Sequence, residues 1–113
     1  CQGWEVWQGK MGFGSGQVAR KLDGSGHGVG DITAQTRKVL QNMEAVLAES
    51  GAVMDDVVKV TVFVTNLAEH FSEIHKVRGE FFTKDYPAST MVEVTSLVHE
   101  DMLIEIEAVA VVQ

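Results

Sequence analysis

This sequence has few of the residues on which disulfide-rich and nucleic-acid-binding proteins depend. Its single cysteine, Cys1, cannot form an internal disulfide, which excludes a disulfide framework. Only 9 Lys and Arg residues stand against 16 Asp and Glu, and the formal net charge of −7 opposes contact with phosphates. The basic residues form no cluster that would offset this charge. We therefore expect no nucleic-acid partner.

Long apolar runs are also missing. The longest run falls well short of the roughly 20 residues that a membrane-spanning helix needs, and no signal segment opens the chain. We therefore expect no membrane partner and a cytoplasmic location. With 45% hydrophobic and 22% charged residues, the composition is typical of a globular protein. Residues 1–113 are predicted to form a single domain that is large enough to bury a core.

The clearest strand pattern covers residues 103–112. Read with a period of two, one face is typical of a core and carries Ile104, Ile106, Ala108, Ala110 and Val112. The opposite face places Glu105 and Glu107 near its start and two valines at its end. Such a face suits neither open solvent nor a dry interior. We look for function on that face.

The middle of the chain predicts a helix followed by a strand. Asp31 is typical of a helix N-cap and Gly51 of a helix end. Between them, apolar or small side chains recur at steps of three and four residues, at Thr36, Val39, Leu40, Met43, Val46 and Leu47. Residues 57–64 change to a period of two, with one predicted core face made by Val58, Val60, Val62 and Val64. The helix is expected to cover this strand.

A second helix is predicted to begin at a capping-box pattern in residues 66–69. Its apolar positions are Leu67, Phe71, Ile74 and Phe81. His70, Glu73 and His75 lie on the same helix, but the two histidines are five residues apart and point to different faces. We predict solvated or capping roles for them and no metal site.

The N-terminal residues 4–18 are typical of a β-hairpin whose turn is residues 9–10. Glycine occupies every second position of residues 12–16, so one side of the second strand lacks side chains. Something must approach this backbone closely. Either a ligand contacts the main chain near Ser15 and Gly16, or a helix or a neighbouring subunit packs there.

The remaining residues supply a strand at 90–95, a turn at 99–101 and the last strand. The predicted order is β-β-α-β-α-β-β, in which two right-handed crossovers place both helices on one face of one mixed sheet. The uncovered face would carry Phe63, Met91, Val109 and Val111 together with Lys59, Glu93, Glu105 and Glu107. This face is too apolar to remain wet across its whole area. We expect it to be buried against other copies of the chain.

Several segments together resemble the RidA family, also called YjgF/YER057c/UK114. These segments are Gly9–Gln17, Asp31–Arg37, Val57–Val64, Pro87–Ala88 and Ile104–Ala108, and they follow the family's order at nearly its spacing. The resemblance implies an α+β, chorismate-mutase-like subunit that assembles as a homotrimer with ligand sites in the clefts between subunits. No cofactor and no metal is expected, and the partner is a small-molecule substrate.

The resemblance also implies hydrolysis of reactive enamine or imine intermediates, such as 2-aminoacrylate, to a keto acid and ammonia. Glu105 matches the family's water-orienting glutamate, and Ser15 with Gly16 matches the strand that contacts the ligand through its backbone. Ser89 stands where active deaminases carry the arginine that clamps the substrate carboxylate, and Met91 stands where a cysteine is common. Glu105 is thus the catalytic candidate, and the other four are the substrate-binding candidates.

The serine at position 89 has consequences for function. A hydroxyl cannot neutralise a carboxylate, and losing a guanidinium removes charge-assisted bonds of roughly 1.5–3 kcal/mol each. Either the substrate differs from 2-aminoacrylate, or another cation such as Arg20 reaches the site, or catalysis is absent. If the pocket is otherwise intact, Ser89→Arg is expected to improve activity on 2-aminoacrylate.

Two functions therefore remain open. The first is an enamine/imine deaminase-type hydrolase, in which a half-buried Glu105 transfers protons. The second is a non-catalytic ligand-binding or protein-partner trimer, in which Glu105 pairs with a Lys or Arg of a neighbouring subunit. Older names for the family include endoribonuclease, but the net charge of −7 repels RNA and makes this a distant third.

Overall fold

The computed structural model describes residues 3–6, 11–17, 28, 30–84 and 86–112. The elements in chain order are β1 (Gly3–Val6), β2 (Met11–Gln17), α1 (Ile32–Glu49), β3 (Val57–Val64), α2 (Leu67–Phe81), β4 (Ala88–Glu93) and β5 (Ile104–Val111). A short 3-10 helix, Met54–Asp56, leads into β3. The predicted β-β-α-β-α-β-β order is confirmed.

The strands form one five-stranded sheet in the order β1-β2-β5-β3-β4. The β3 and β4 strands are parallel, and the other neighbouring pairs are antiparallel, so the sheet is mixed. The last strand, β5, therefore lies between the two strands that precede the helices. Its alternating burial places Ile104, Ile106, Ala108 and Ala110 in the core, as its sequence predicts.

Both helices cover the same face of the sheet and contact each other. Arg37 of α1 forms an ion pair with Glu80 of α2, with 2.8 Å between Nη2 and Oε2. This hydrogen bond lowers the pKa of Glu80. Thr33 also donates a hydrogen bond to Glu73 between the helices. Within the described part of the chain, neither helix is long and apolar enough to cross a membrane.

The first helix begins and ends where the sequence predicts. The Asp31 side chain accepts a hydrogen bond from the backbone N–H of Ala34 at 3.1 Å, which satisfies one of the free donors of the first turn. Gly51 adopts a φ of 76°, a left-handed conformation that suits glycine after a helix. The buried positions of α1 include five of the six predicted ones, and Val46 is half-buried.

The start of the second helix differs from the predicted capping box. Asn66 is left-handed, with a φ of 53°, and its side chain makes no capping hydrogen bond. Glu93 of β4 caps the helix instead, by accepting a hydrogen bond from the Leu67 N–H at 2.9 Å. Phe71 is 51% exposed, so its predicted place in the buried stripe is wrong. The buried positions of α2 are Ile74, Val77 and Arg78.

The predicted core face of β3 is wrong at one residue. The register of β3 against β5 shifts between Val57 and Lys59, which is typical of a β-bulge. The extra residue turns Val58 outward, where it is 48% exposed, and Val57 is buried in its place. From Val60 onward the predicted alternation is confirmed.

The fourth strand begins two residues before its predicted start, at Ala88, and ends at Glu93. Partners in its parallel ladder with β3 point to the same face of the sheet. The pairs on the helix-covered face are Val60 with Ser89, Val62 with Met91 and Val64 with Glu93. Met91 accordingly packs against the hydrophobic core.

The prediction that Met91 and Glu93 lie on the uncovered face is therefore wrong. Thr90 and Val92 take those places, opposite Thr61 and Phe63 of β3. The error has a physical cause, because β4 is an edge strand on which five of six residues are exposed. Such a strand has no alternation of polar and apolar residues from which its facing can be read.

The N-terminal hairpin is confirmed, since β1 and β2 pair antiparallel with Val6 opposite Met11. Gly12 and Gly14 of β2 pair with Ala110 and Ala108, whose side chains are buried on the helix-covered face. Helix α1 contacts both β2 and β5. The alternating glycines therefore fit close helix packing. The predicted turn at residues 9–10 lies outside the described residues.

Candidate functional site

The uncovered face of the sheet carries the candidate catalytic residue. On this face β3 and β5 pair through Lys59 with Val109, Thr61 with Glu107 and Phe63 with Glu105. The sequence predicts that five of these six residues lie on the uncovered face, and this is confirmed. Thr61 is not in that prediction. Phe63 and Val109 are only half-buried in the single chain. The face thus combines apolar side chains with two carboxylates, as the last strand predicts.

Glu105 lies half-buried on this face, near the start of β5. No hydrogen bond or ion pair joins its carboxylate to any residue that the structure describes. Its backbone position is fixed by the ladder with Phe63. A carboxylate that is held in a regular strand and engaged by no described residue is available to accept a proton from a bound water.

Ser89 lies on the other face of the sheet. Its ladder partner Val60 is buried beneath the helices, and its hydroxyl oxygen accepts a hydrogen bond from Nη2 of Arg78 at 2.8 Å. Ser89 itself is exposed, because β4 is the edge strand. Position 89 is therefore next to an arginine supplied by α2.

Arg78 is a functional candidate that was missed in the sequence. Only 6% of the residue is exposed, and its buried Nε has no hydrogen-bond partner among the residues that the structure describes. No described carboxylate lies within 4 Å of it. Burial lowers the pKa of the guanidinium, an effect that the nearby Tyr86 partly opposes. Its signal in the sequence is its position, four residues after Ile74 on the apolar stripe of α2.

The backbone near Ser15 and Gly16 departs from the regular sheet. The ladder of β2 with β5 shifts register between Gly14 and Gln17, and no strand pairing is described for the two residues between them. The ladder with β1 also ends at Gly14. Their backbone N–H and C=O groups are thus candidates for contact with a ligand. Arg20, the other cation considered for the site, lies outside the described residues.

The structure does not bring all the predicted site residues together within one chain. Glu105 belongs to the uncovered face, whereas Ser89 and Met91 belong to the face beneath the helices. Met91 packs against the core and Ser89 contacts Arg78. A ligand that touches both Glu105 and Ser89 would therefore need these residues from different subunits.

No group of three metal-ligating side chains is found in the described ranges. Glu73, which was considered with His70 and His75, is engaged at the helix contact, where it accepts hydrogen bonds from Thr33 and Lys76. His75 instead stacks on exposed Phe71, with 6.0 Å between ring centroids. Glu73 and His75 therefore both make contacts within the chain.

Comparison with known families agrees with the fold and with the residues that carry the resemblance. The family model described as endoribonuclease L-PSP matches residues 5–112. The chain belongs to this family, which is the RidA family. The match covers every strand and helix that the structure describes, apart from the first two residues of β1.

The RidA-family relatives include archaeal, animal and bacterial proteins. A RutC family protein of Pyrococcus abyssi is 46% identical over 81 residues, which are 72% of this chain and 62% of that protein. A 2-iminobutanoate/2-iminopropanoate deaminase of Dermatophagoides farinae is 35% identical over 88% of this chain and 76% of its own length. The solved structure of E. coli TdcF with bound serine superposes with a TM-score of 0.86 at 34% identity, covering 99% of this chain and 87% of TdcF.

Proposed function

We propose that this chain hydrolyses enamine or imine intermediates to a carbonyl compound and ammonia. The observation that carries the proposal is Glu105, a half-buried carboxylate that no described residue of its own chain engages. Relatives named 2-iminobutanoate/2-iminopropanoate deaminase support this class of reaction. The family name endoribonuclease receives no support from the charge of −7.

Hydrolysis of an imine needs few catalytic groups from the protein. After an enamine tautomerises to an imine, water adds to the carbon of the C=N bond, and the nitrogen gains a proton. The hydroxyl of the resulting carbinolamine then gives up its proton, the nitrogen takes one up as the C–N bond breaks, and ammonia leaves as the carbonyl forms. Glu105 would accept a proton from the attacking water and return it to the nitrogen. The same carboxylate can then carry the proton of the carbinolamine hydroxyl to the nitrogen, so one carboxylate that orients the water is sufficient for both steps.

The active form would be a homotrimer in which the uncovered sheet faces are buried between subunits. The half-buried Phe63, Val109 and Val111 supply apolar surface for such an interface. Glu105 would then border a cleft between two subunits. Because Ser89 lies on the opposite face of its own sheet, the Glu105 of one subunit would meet the Ser89 of another.

The preferred substrate is proposed to differ from 2-aminoacrylate. The strand residue at position 89 is a serine, and the guanidinium that contacts it comes from α2. A substrate carboxylate held by Arg78 and Ser89 would therefore lie at a different place from a carboxylate held by an arginine on β4. We expect discrimination of about tenfold or more between 2-aminoacrylate and a longer imino acid such as 2-iminobutanoate, the scale expected for one extra methylene.

The test is an ammonia-release assay with both intermediates generated freshly in the reaction. Acceleration over the buffer rate, with a lower rate on 2-aminoacrylate, is the expected result. Tight binding of the product 2-oxobutanoate without any ammonia release would eliminate the hydrolase and favour a ligand-binding trimer. Equal rates on the two intermediates would contradict the proposed substrate difference only.

A further inference from the structure

We propose that Arg78 and Ser89 together form the site that holds the substrate carboxylate. This inference deepens the proposed function and rests on it for the identity of the ligand, an imino acid. The cation comes from helix α2, and the hydroxyl from the edge strand β4. Arg78 is charged but buried, and Ser89 is exposed but neutral, so neither residue alone has the features of an anion site. The 2.8 Å hydrogen bond between them places the charge of Arg78 next to the exposed hydroxyl.

The first argument is that the positive charge of Arg78 is buried without a described acidic partner. A guanidinium that is permanently charged and removed from water is normally paired with an acid or fully hydrogen-bonded. Only 6% of Arg78 is exposed, and no described carboxylate lies within 4 Å of it. Its buried Nε–H also has no acceptor within the described ranges. An anion from solution would supply the missing negative charge and acceptor atoms.

The second argument is the direction of the hydrogen bond. Nη2 of Arg78 is the donor and Oγ of Ser89 the acceptor, because a guanidinium can only donate. The hydroxyl proton of Ser89 is therefore left to donate elsewhere. A carboxylate beside this pair would accept one bond from Ser89 and one from the guanidinium. The guanidinium edge formed by Nε–H and Nη2–H has the spacing that suits the two oxygens of a carboxylate.

The third argument is access. Ser89 is exposed, and β4 is an edge strand with no neighbour on its outer side within the described chain. A ligand can therefore reach the hydroxyl from the sheet edge. Tyr86 lies near the other half of the pair, because its hydroxyl packs against Gly79, the neighbour of Arg78 on α2, and it influences the pKa of Arg78. The buried Nε lies deeper and would be reached when the side chain turns toward the ligand.

Equilibrium binding tests this site without requiring catalysis. The probes are 2-oxobutanoate and its neutral counterpart 2-butanone, titrated into the full chain and followed by NMR. We expect Arg78→Met to weaken 2-oxobutanoate about 10-fold to 100-fold, the range for losing one or two charge-assisted bonds. Arg37→Met is the control, because this exposed arginine pairs with Glu80 and should leave binding unchanged.

Folding of the variants is checked by circular dichroism. If Arg78→Met does not fold, Ser89→Ala provides the second test, because it removes the hydroxyl at an exposed position with little effect on packing. We expect Ser89→Ala to weaken 2-oxobutanoate several-fold and 2-butanone not at all. Unchanged 2-oxobutanoate affinity in a folded Arg78→Met variant, or equal losses for both probes, would overturn the proposal.

Turnover separates this inference from the proposed function. If the wild-type chain releases ammonia, Arg78→Met should raise KM for imino acids more than it lowers kcat. If the wild-type chain binds 2-oxobutanoate through Arg78 but releases no ammonia, the anion site stands and the hydrolase fails. If turnover persists with unchanged KM in Arg78→Met, the hydrolase stands and the anion site fails.

Discussion

Glu93 caps helix α2 by accepting a hydrogen bond of 2.9 Å from the backbone N–H of Leu67, although the two residues are 26 positions apart in the sequence. A strand carboxylate thus does what a local N-cap residue usually does. We predict that Glu93→Ala lowers the free energy of unfolding by about 1 kcal/mol, the usual cost of losing a cap. Glu93→Gln, which keeps an acceptor oxygen, should cost less. Urea denaturation measures both, and equal losses would contradict the capping role.

Gln35 is a buried amide that joins three backbone groups. Its Nε2 donates to the carbonyls of Gly28 and Asp101, and its Oε1 accepts from Leu103 N at 2.8 Å. Gln35→Leu leaves these groups without their partner, so we predict a loss of about 2 kcal/mol or more. Gln41→Leu, at an exposed position of the same helix, is the matched control and should change stability little. Equal urea midpoints for the two variants would show that the network contributes nothing.

Glu105 and Glu107 provide a matched pair for catalysis, since both lie on the uncovered face of β5. If the chain hydrolyses an imine, Glu105→Gln should reduce kcat about 100-fold or more, because it removes the proton acceptor while keeping the shape. Glu107→Gln should have a much smaller effect. Light scattering must show the same assembly for both variants. Loss of assembly in Glu105→Gln would indicate that the carboxylate is structural, and unchanged turnover would remove it from the mechanism.

Ser89→Arg is expected from the sequence to restore a carboxylate clamp, but the structure changes that expectation. A second guanidinium at position 89 would face Arg78, whose Nη2 lies 2.8 Å from the present hydroxyl. Two like charges brought close together repel each other, so we predict that Ser89→Arg loses both stability and 2-oxobutanoate affinity. Combining it with Arg78→Met should recover affinity. A single Ser89→Arg variant that binds 2-oxobutanoate more tightly than wild type would refute this prediction.

The proposed homotrimer, which would bury the uncovered sheet face, is expected to persist at micromolar concentration. Light scattering should give three times the chain mass of 12.3 kDa. Val109→Lys places a charge within that face and should shift the protein toward monomer. Val98→Lys is the control, because Val98 lies outside the strands and is 75% exposed. A wild-type monomer, or a trimer unaffected by Val109→Lys, would leave the intersubunit site without a basis.

The sequence by itself determines the element order, the core face of β5 and the two ends of α1. These are local properties. Alternation with a period of two defines a strand face wherever that face is buried, and Asp31 with Gly51 defines the helix ends through the first and last turns. The family resemblance selects Glu105 and position 89 as site candidates because their neighbours in the chain form short, recognisable segments.

The tertiary structure decides what depends on pairing between distant segments. A bulge between Val57 and Lys59 turns Val58 outward, and the β3–β4 register places Met91 beneath the helices. An edge strand carries no pattern that reveals such a register. The contact of Arg78 with Ser89 joins a helix to the strand that follows it, and its meaning depends on burial, which removes water and leaves the guanidinium without a partner acid among the described residues.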